Sequence, residues 1–197
     1  EGMNAADLVK QLNEYFQVMV DIVVRNRGRL DKFIGDAVMA DWGSFVTGGL
    51  RIDCERTVRS ALEMRVALKE LNARWVVEGF QPLAIGIGVN LGDVIVGNLG
   101  SEVKMEVSVI GDAVNLASRL EGLTKEYQLD LLLGETVAEQ VKGAFVLRSV
   151  DLVQVKGKTK PVAVFTIPPE AGEGMPSPEW LPLHEEGIRL YRAREFQ

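Results

Sequence analysis

The first segment with chemical potential is 32–40, where Gly35 and Asp36 lie between two short apolar runs. This pattern predicts a hairpin with a carboxylate exposed at its tip. A carboxylate held in this way suits Mg²⁺, which takes oxygen ligands and usually shares them with phosphate. Gly-Asp is also ordinary turn chemistry, so the segment taken alone predicts only a turn.

Two further segments carry side chains that can bind phosphate. Asn115 and Arg119 lie four residues apart in a segment with helix character, 113–123, and therefore project from one helix face. An amide and a guanidinium together can bind a ribose and a polyphosphate. The other segment, near the end of the chain, places three lysines within five residues: Lys156, Lys158 and Lys160. Taken alone, the first pattern is explained at least as well by a solvated helix face, and any single lysine of the second is better explained by a polar turn.

Hydrophobic periodicity outlines the elements that must position these side chains. An apolar stripe predicts a long helix from an N-cap at Asn4 to a left-handed stop at Gly28, and a second helix from Asp53 to about Glu78. Shorter helices are predicted over 113–123 and 135–141. Strands are predicted over 29–34, 37–42, 83–89, 94–99, 104–110, 129–133, 145–155 and 162–167. Strands in neighbouring pairs, separated by long helices, indicate an α+β fold with an antiparallel-rich sheet and helices on one face.

Composition bounds the function classes. The 197 residues are 47% apolar and 25% charged, as in a soluble globular domain, and the net charge of −6 argues against a nucleic-acid partner. A single cysteine, Cys54, excludes a disulfide framework within the chain. The only histidine, His184, lies far from it in sequence, so neither a Cys/His nucleophile nor a zinc cluster is supported.

Composition changes after two prolines at 168 and 169. Residues 168–179 are rich in proline and glycine and predict a linker, and 180–197 resume a helical pattern that could begin a tetratricopeptide-like segment. No apolar run approaches the ~20 residues of a membrane span, and the first residues do not form a signal peptide. We therefore expect a cytoplasmic domain, cut from a longer protein that is free or membrane-anchored.

In their order and spacing, these segments resemble the class III adenylyl and guanylyl cyclase catalytic domain, bacterial type and adenylyl-like, over 1–167. The matching stretches are 30–40, 85–94, 96–100, 108–121 and 155–162. The resemblance implies a ferredoxin-like βαββαβ core with additional strands. It also implies a head-to-tail homodimer with two shared active sites, and an upstream sensor or membrane module in the full-length chain.

The resemblance implies a reaction as well. Two Mg²⁺ ions, for which Mn²⁺ may substitute, are held by two aspartates, and the ribose 3′-hydroxyl attacks the α-phosphorus while pyrophosphate leaves. Asp36 matches one metal aspartate. The other belongs to a strand before the first helix, which we expect upstream of Glu1.

Base selection and phosphate binding are also implied by the resemblance. Lys32 matches the position that reads the base, where lysine is typical of adenylyl and glutamate of guanylyl enzymes, and Ser108 matches its partner position. Asn115 matches the ribose-orienting residue and Arg119 the residue that stabilises transition-state charge. Two lysines flank the phosphate-binding position, of which the second is preferred: Lys156 and Lys158.

The resemblance distributes these residues over the two sites of the dimer. Asp36 serves one site, whereas Lys32, Ser108, Asn115 and Arg119 of the same chain serve the other. The expected substrate is ATP and the product cyclic AMP. Three alternatives stay open: a guanylate cyclase, a catalytically silent cyclase-like dimerisation domain, and a ferredoxin-like RNA-binding module, which the acidic charge disfavours.

Overall fold

A computed structural model describes residues 4–154 and 161–193 of the chain. It contains five helices within these ranges: α1 (Ala5–Arg25), α2 (Leu50–Val77), α3 (Asp112–Tyr127), α4 (Glu135–Val141) and α5 (Leu181–Ala193). The strands are β1 (Arg29–Ile34), β2 (Ala37–Asp41), β3 (Ile87–Val89), β4 (Ile95–Gly100), β5 (Met105–Ile110), β6 (Leu131–Gly134), β7 (Arg148–Val153) and β8 (Val162–Thr166). All strand pairs are antiparallel except β3 with β6, which confirms the predicted α+β, antiparallel-rich class.

The chain forms two compact units, one comprising the residues up to 85 with 94–110, the other comprising 86–93 with the residues from 111 onward. In the first unit, α1 and α2 pack around a cluster of buried side chains: Tyr15, Met19, Leu68, Leu71 and Trp75. The β1–β2 and β4–β5 hairpins belong to the same unit. This apolar cluster anchors the elements that carry the N-terminal candidate residues.

The two ends of α1 agree differently with the prediction from the sequence. At the start, the Asn4 side chain accepts a hydrogen bond from Ala6 N at 2.9 Å, as the N-cap prediction requires. At the other end the prediction is wrong, because the left-handed residue is Arg27, with φ of 63°, and not Gly28. A Cβ at Gly28 would overlap the ring of Trp42, so this glycine provides space for packing.

Helix α2 begins at Leu50, three residues before the predicted start at Asp53. The Asp53 carboxylate accepts hydrogen bonds from Gly48 N and from the Thr47 hydroxyl, so it binds the preceding loop from inside the first turn. The predicted stop is confirmed, since Gly79 follows the helix with φ of 86°.

The second unit is built on a four-stranded sheet in the order β3-β6-β8-β7. Helix α3 packs on it through a cluster of buried apolar side chains: Leu116, Leu120, Leu132 and Val164. Gly88 of β3 lies directly under α3, and a Cβ there would overlap Ala117 O and Glu121 N. The predicted strand at 83–89 begins only at Ile87. Leu83 instead pairs its backbone N and O with the Asn72 side chain.

Helix α5 contacts β7, the outer strand of this sheet. The Glu185 carboxylate accepts hydrogen bonds from Ser149 N at 2.7 Å and from Ser149 Oγ at 2.6 Å. The His184 ring lies 2.8 Å from Ser149 O. Among the helices described, none is long and apolar enough to cross a membrane.

Candidate active site

The β1–β2 hairpin places Asp36 at an exposed tip, as predicted. Ile34 pairs with Ala37, which leaves Gly35 and Asp36 as a two-residue turn. Gly35 has φ of 63° and Asp36 does not have a positive φ, which is the pattern of a type II′ hairpin turn. Two short, paired strands therefore fix the position of this carboxylate.

Asp36 fits the role of one ligand of a hard cation. Its negative charge adds to burial in raising the pKa of Tyr15, on α1. Within the described ranges, no three His, Cys, Asp or Glu side chains are grouped closely enough to hold a metal by themselves. Mg²⁺ is commonly bound through one or two carboxylates together with substrate phosphates and water, and a single exposed aspartate suits that mode.

Lys32 on β1 and Ser108 on β5 converge on one carboxylate, that of Asp31. The Ser108 hydroxyl donates to Asp31 Oδ2 at 2.6 Å, and Lys32 Nζ lies 3.7 Å from the same oxygen. Lys32 Nζ is also 3.7 Å from Glu106 Oε2. The two residues expected to read the base are thus brought together across β1 and β5.

Arg29 also contacts Asp31 and links it to the neighbouring strands. Its Nη2 lies 2.7 Å from Asp31 Oδ1 and 2.6 Å from Asp41 Oδ2, and its Nη1 donates to Val107 O at 3.2 Å. The guanidinium also stacks on Phe45, 5.1 Å from the ring centroid. Burial acts to lower the pKa of Arg29, but contacts with Asp41 and Asp31 outweigh it and raise that pKa. One cation therefore joins β1, β2 and β5.

A cleft of about 660 Å³ opens beside these residues, within the first unit. It is lined by Arg29, Leu30, Asp31, Lys32, Phe33, Lys104, Glu106 and Val107. At its rim, Lys104 Nζ lies 2.9 Å from Glu106 Oε1. The hydrogen bond and the charge of Lys104 lower the pKa of Glu106. The cleft therefore offers cations and carboxylates side by side, which suits a polar, partly charged ligand.

Asn115 and Arg119 lie in the second unit, on the exposed side of α3. The residues that follow each of them, Leu116 and Leu120, are buried, so the two polar side chains share the face directed away from the core of that unit. Their predicted common face is confirmed. The two predicted phosphate-binding lysines, Lys156 and Lys158, lie outside the described residues.

Sequence reasoning missed Arg29 and Asp31. The sequence pattern held no signal for this cluster. A regular hairpin about Gly35 and Asp36 would place Asp41 opposite Leu30, and only the register shift between Leu30 and Lys32 brings Asp41 opposite Arg29. Cys54 is a buried thiol. Burial, together with the charges of Asp53 and Glu55, raises its pKa to about 11. Such a thiol is not a thiolate at neutral pH and does not act as a nucleophile.

Comparison with known proteins identifies the family of the chain. The family model of the adenylate and guanylate cyclase catalytic domain matches residues 1–168. A terminal-differentiation-specific adenylate cyclase of Dictyostelium discoideum is 34% identical over the whole chain, which spans 9% of that relative. The chain covers 25–33% of the length of two bacterial adenylate cyclases.

Two solved structures are similar in fold and sequence. The adenylyl cyclase CyaB from P. aeruginosa has a TM-score of 0.80 and 33% identity, with 84% of each chain covered. The guanylyl cyclase Cya2 has a TM-score of 0.76 and 34% identity, covering 89% of this chain and 85% of the other. The family model matches most of the chain, and the chain belongs to the adenylate and guanylate cyclase catalytic domain family.

Proposed function

We propose that this domain converts ATP to 3′,5′-cyclic AMP and pyrophosphate, as a homodimer with two shared active sites, in second-messenger signalling. The observation that carries the choice of ATP is the convergence of Lys32 and Ser108 on Asp31 Oδ2. The side chain of Lys32 is 32% exposed and lines the cleft of about 660 Å³.

The chemistry of the bases explains why this pair favours adenine. Adenine N1 accepts a hydrogen bond and its 6-amino group donates one, which matches an ammonium donor and a hydroxyl acceptor. Guanine presents a donor at N1 and an acceptor at O6. A lysine that meets the N1–H of guanine loses a partner in a partly buried site, which costs about 2 kcal/mol.

The remaining proposed roles concern the sugar and the triphosphate. Asn115 would orient the ribose, Arg119 would stabilise charge that develops on the phosphates, and the lysines at 156 and 158 would bind the triphosphate. Asp36 would hold Mg²⁺ or Mn²⁺. The metal, when bound, supplies positive charge that neutralises the triphosphate and lowers the pKa of a coordinated hydroxyl.

The organisation of the larger protein is also proposed. Residues 1–167 would form the catalytic domain, 168–179 a linker and 180–197 the start of a following helical segment. A second aspartate from a strand that precedes α1 would complete the metal site. An upstream sensor or membrane module would set the activity of this domain on the cytoplasmic side.

The test is product formation by the full-length protein from ATP and from GTP, with Mg²⁺ and with Mn²⁺, across a range of protein concentrations. We expect cyclic AMP, with specific activity rising as dimers form. Cyclic GMP as the main product would keep the family and overturn the choice of base. A folded dimer that forms neither product would identify a catalytically silent domain.

A further inference from the structure

We propose that Asp31 is a positioning residue for base selection, because it locks the Ser108 hydroxyl as a hydrogen-bond acceptor toward the base. The inference rests on the proposed function and deepens it. Ser108 on its own is ambiguous, since a hydroxyl can accept from the adenine amino group or donate to guanine O6. The hydrogen bond to Asp31 removes this ambiguity.

The first observation is a bulge in β1. The pairing of β1 with β2 shifts register between Leu30 and Lys32, so Asp31 has no ladder partner. In a regular strand Asp31 and Lys32 would point to opposite faces. With the bulge, both reach toward β5, where Lys32 Nζ lies near Glu106 and Asp31 meets Ser108. Bulges commonly re-aim side chains next to active sites.

The second observation is burial. The Asp31 side chain is 0% exposed, and its two oxygens have separate partners. Oδ1 faces Arg29 Nη2 at 2.7 Å, while Oδ2 accepts from the Ser108 hydroxyl at 2.6 Å. Both Asp31 oxygens thus accept hydrogen bonds from donor groups. Ser108 must therefore donate its one proton to Asp31.

The consequence is a fixed polarity at Ser108. With its proton committed, the oxygen of Ser108, a residue that is 2% exposed, has only lone pairs left for a ligand that reaches it. These match the 6-amino group of adenine and oppose the 6-oxo group of guanine. Rotation of the hydroxyl toward a guanine would leave a fully buried Asp31 oxygen without this donor, a change that weakens binding by about tenfold or more.

The experiment compares Asp31→Asn with Asp41→Asn in the full-length protein. Both variants remove one carboxylate from Arg29, but only Asp31 contacts Ser108. An amide at 31 can donate to the Ser108 oxygen and so release the hydroxyl proton. We measure Kd for 3′-deoxy-ATP and 3′-deoxy-GTP, which lack the attacking hydroxyl, so that binding is read without turnover.

We expect Asp31→Asn to reduce the preference for the adenine nucleotide about tenfold, whereas Asp41→Asn changes it less than about twofold. Adding Ser108→Ala closes a double-mutant cycle. In the Ser108→Ala background, Asp31→Asn should have no further effect on the ratio of the two Kd values. An unchanged ratio in Asp31→Asn, or an equal change with and without Ser108, would overturn the inference.

A second measurement does not depend on the folding of an Asp31 variant. It compares 3′-deoxy nucleotides of hypoxanthine, which has a 6-oxo group, and of unsubstituted purine. A locked acceptor repels the 6-oxo group, so Ser108→Ala should tighten binding of the hypoxanthine nucleotide relative to the purine nucleotide. A free hydroxyl would instead donate to the 6-oxo group. Ser108→Ala would then weaken binding of the hypoxanthine nucleotide, and this result would refute the inference.

These readouts separate the inference from the proposed function. Selective binding that depends on Asp31, in a protein that forms no cyclic nucleotide, would refute the cyclase proposal and keep the inference. Cyclic AMP formation, with a ratio of the two Kd values that Asp31→Asn leaves unchanged, would refute the inference and keep the cyclase proposal. Absence of nucleotide binding in the unmodified protein would refute both.

Discussion

Lys32 is held between two carboxylates, with Nζ 3.7 Å from Asp31 and 3.7 Å from Glu106. Its positive charge therefore separates two acidic groups at the edge of the cleft. Any change of sign at this position would place three negative groups together.

We predict that Lys32→Glu lowers kcat/KM for ATP by about a hundredfold, since the variant loses the donor to adenine N1 and gathers carboxylates in the cleft. Because Asp31 and Glu106 remain, the gain of activity toward GTP should be smaller than the loss toward ATP. Steady-state rates of cyclic AMP and cyclic GMP formation provide the measurement.

Lys104→Glu is the matched control for this prediction. Lys104 undergoes the same change of charge and also contacts Glu106, but its side chain is 80% exposed at the rim of the cleft. An exposed ion pair contributes little, so we expect less than about a threefold change in kcat/KM for ATP. Equal losses in the two variants would mean that overall charge, and not base reading, governs Lys32.

At this scale the sequence is informative where local patterns decide the structure. The turn at Gly35 and Asp36 could be predicted because a two-residue hairpin is specified by the turn residues themselves. The contacts of Asp31 could not be predicted, because regular strand alternation directs the side chains of Asp31 and Lys32 to opposite faces of the sheet. Only the bulge, which depends on how β1 meets β2, brings the two side chains to the same side.

The contact of α3 with β3 is the tightest helix–strand approach in the second unit that involves a glycine. Gly88 lies against the backbone of α3 at Ala117 O and Glu121 N, and Gly86 lies against Thr124. Helix α3 also carries Asn115 and Arg119, so the spacing of these two glycines sets how closely the helix that bears them approaches its sheet.

We predict that Gly88→Ala destabilises the domain by about 2 kcal/mol or more, because a methyl group would meet helix backbone that cannot move aside alone. Thermal unfolding should show a fall in Tm of roughly 5 °C for a chain of this size. The control is Gly122→Ala, within α3, where an added Cβ meets nothing within 4 Å. That variant should be more stable by about 0.5–1 kcal/mol. A Gly88 variant as stable as the control would show that the sheet and helix separate without cost.

The elements themselves could largely be predicted from periodicity, and their ends could not. Helix α4 and the β1–β2 hairpin match their predicted residues closely, since each is bounded by local turn signals. The end of α1 was misplaced because Gly28 makes room for Trp42, a contact fourteen residues distant in sequence. The start of β3 was misplaced because the Asn72 side chain occupies the backbone groups of Leu83.

Asp36 and Arg119 belong to different units of the chain, and on the proposed dimer they serve different active sites. We predict that Asp36→Ala and Arg119→Ala, each inactive alone, regain activity when mixed. Random pairing makes half of the dimers mixed, and each mixed dimer has one intact site, so about a quarter of the unmodified activity should return. The measurement is cyclic AMP formation after co-refolding or co-expression.

Two controls make this result interpretable. Mixing two preparations of Asp36→Ala should restore nothing, and differential tags on the two variants should verify that mixed dimers form. Mixed dimers that stay inactive would show that Asp36 and Arg119 act in the same site, and the proposed distribution of residues over the dimer would be wrong.

The contact between α5 and β7 has a consequence for how the molecule behaves in a crowded solution. An outer strand offers its unpaired backbone to the strands of other molecules, and this is a common route to aggregation. Glu185 and His184 contact the N–H and C=O of Ser149, the second residue of that strand. Helix α5 thus covers the start of β7, where a strand from another molecule could otherwise pair with the backbone of Ser149.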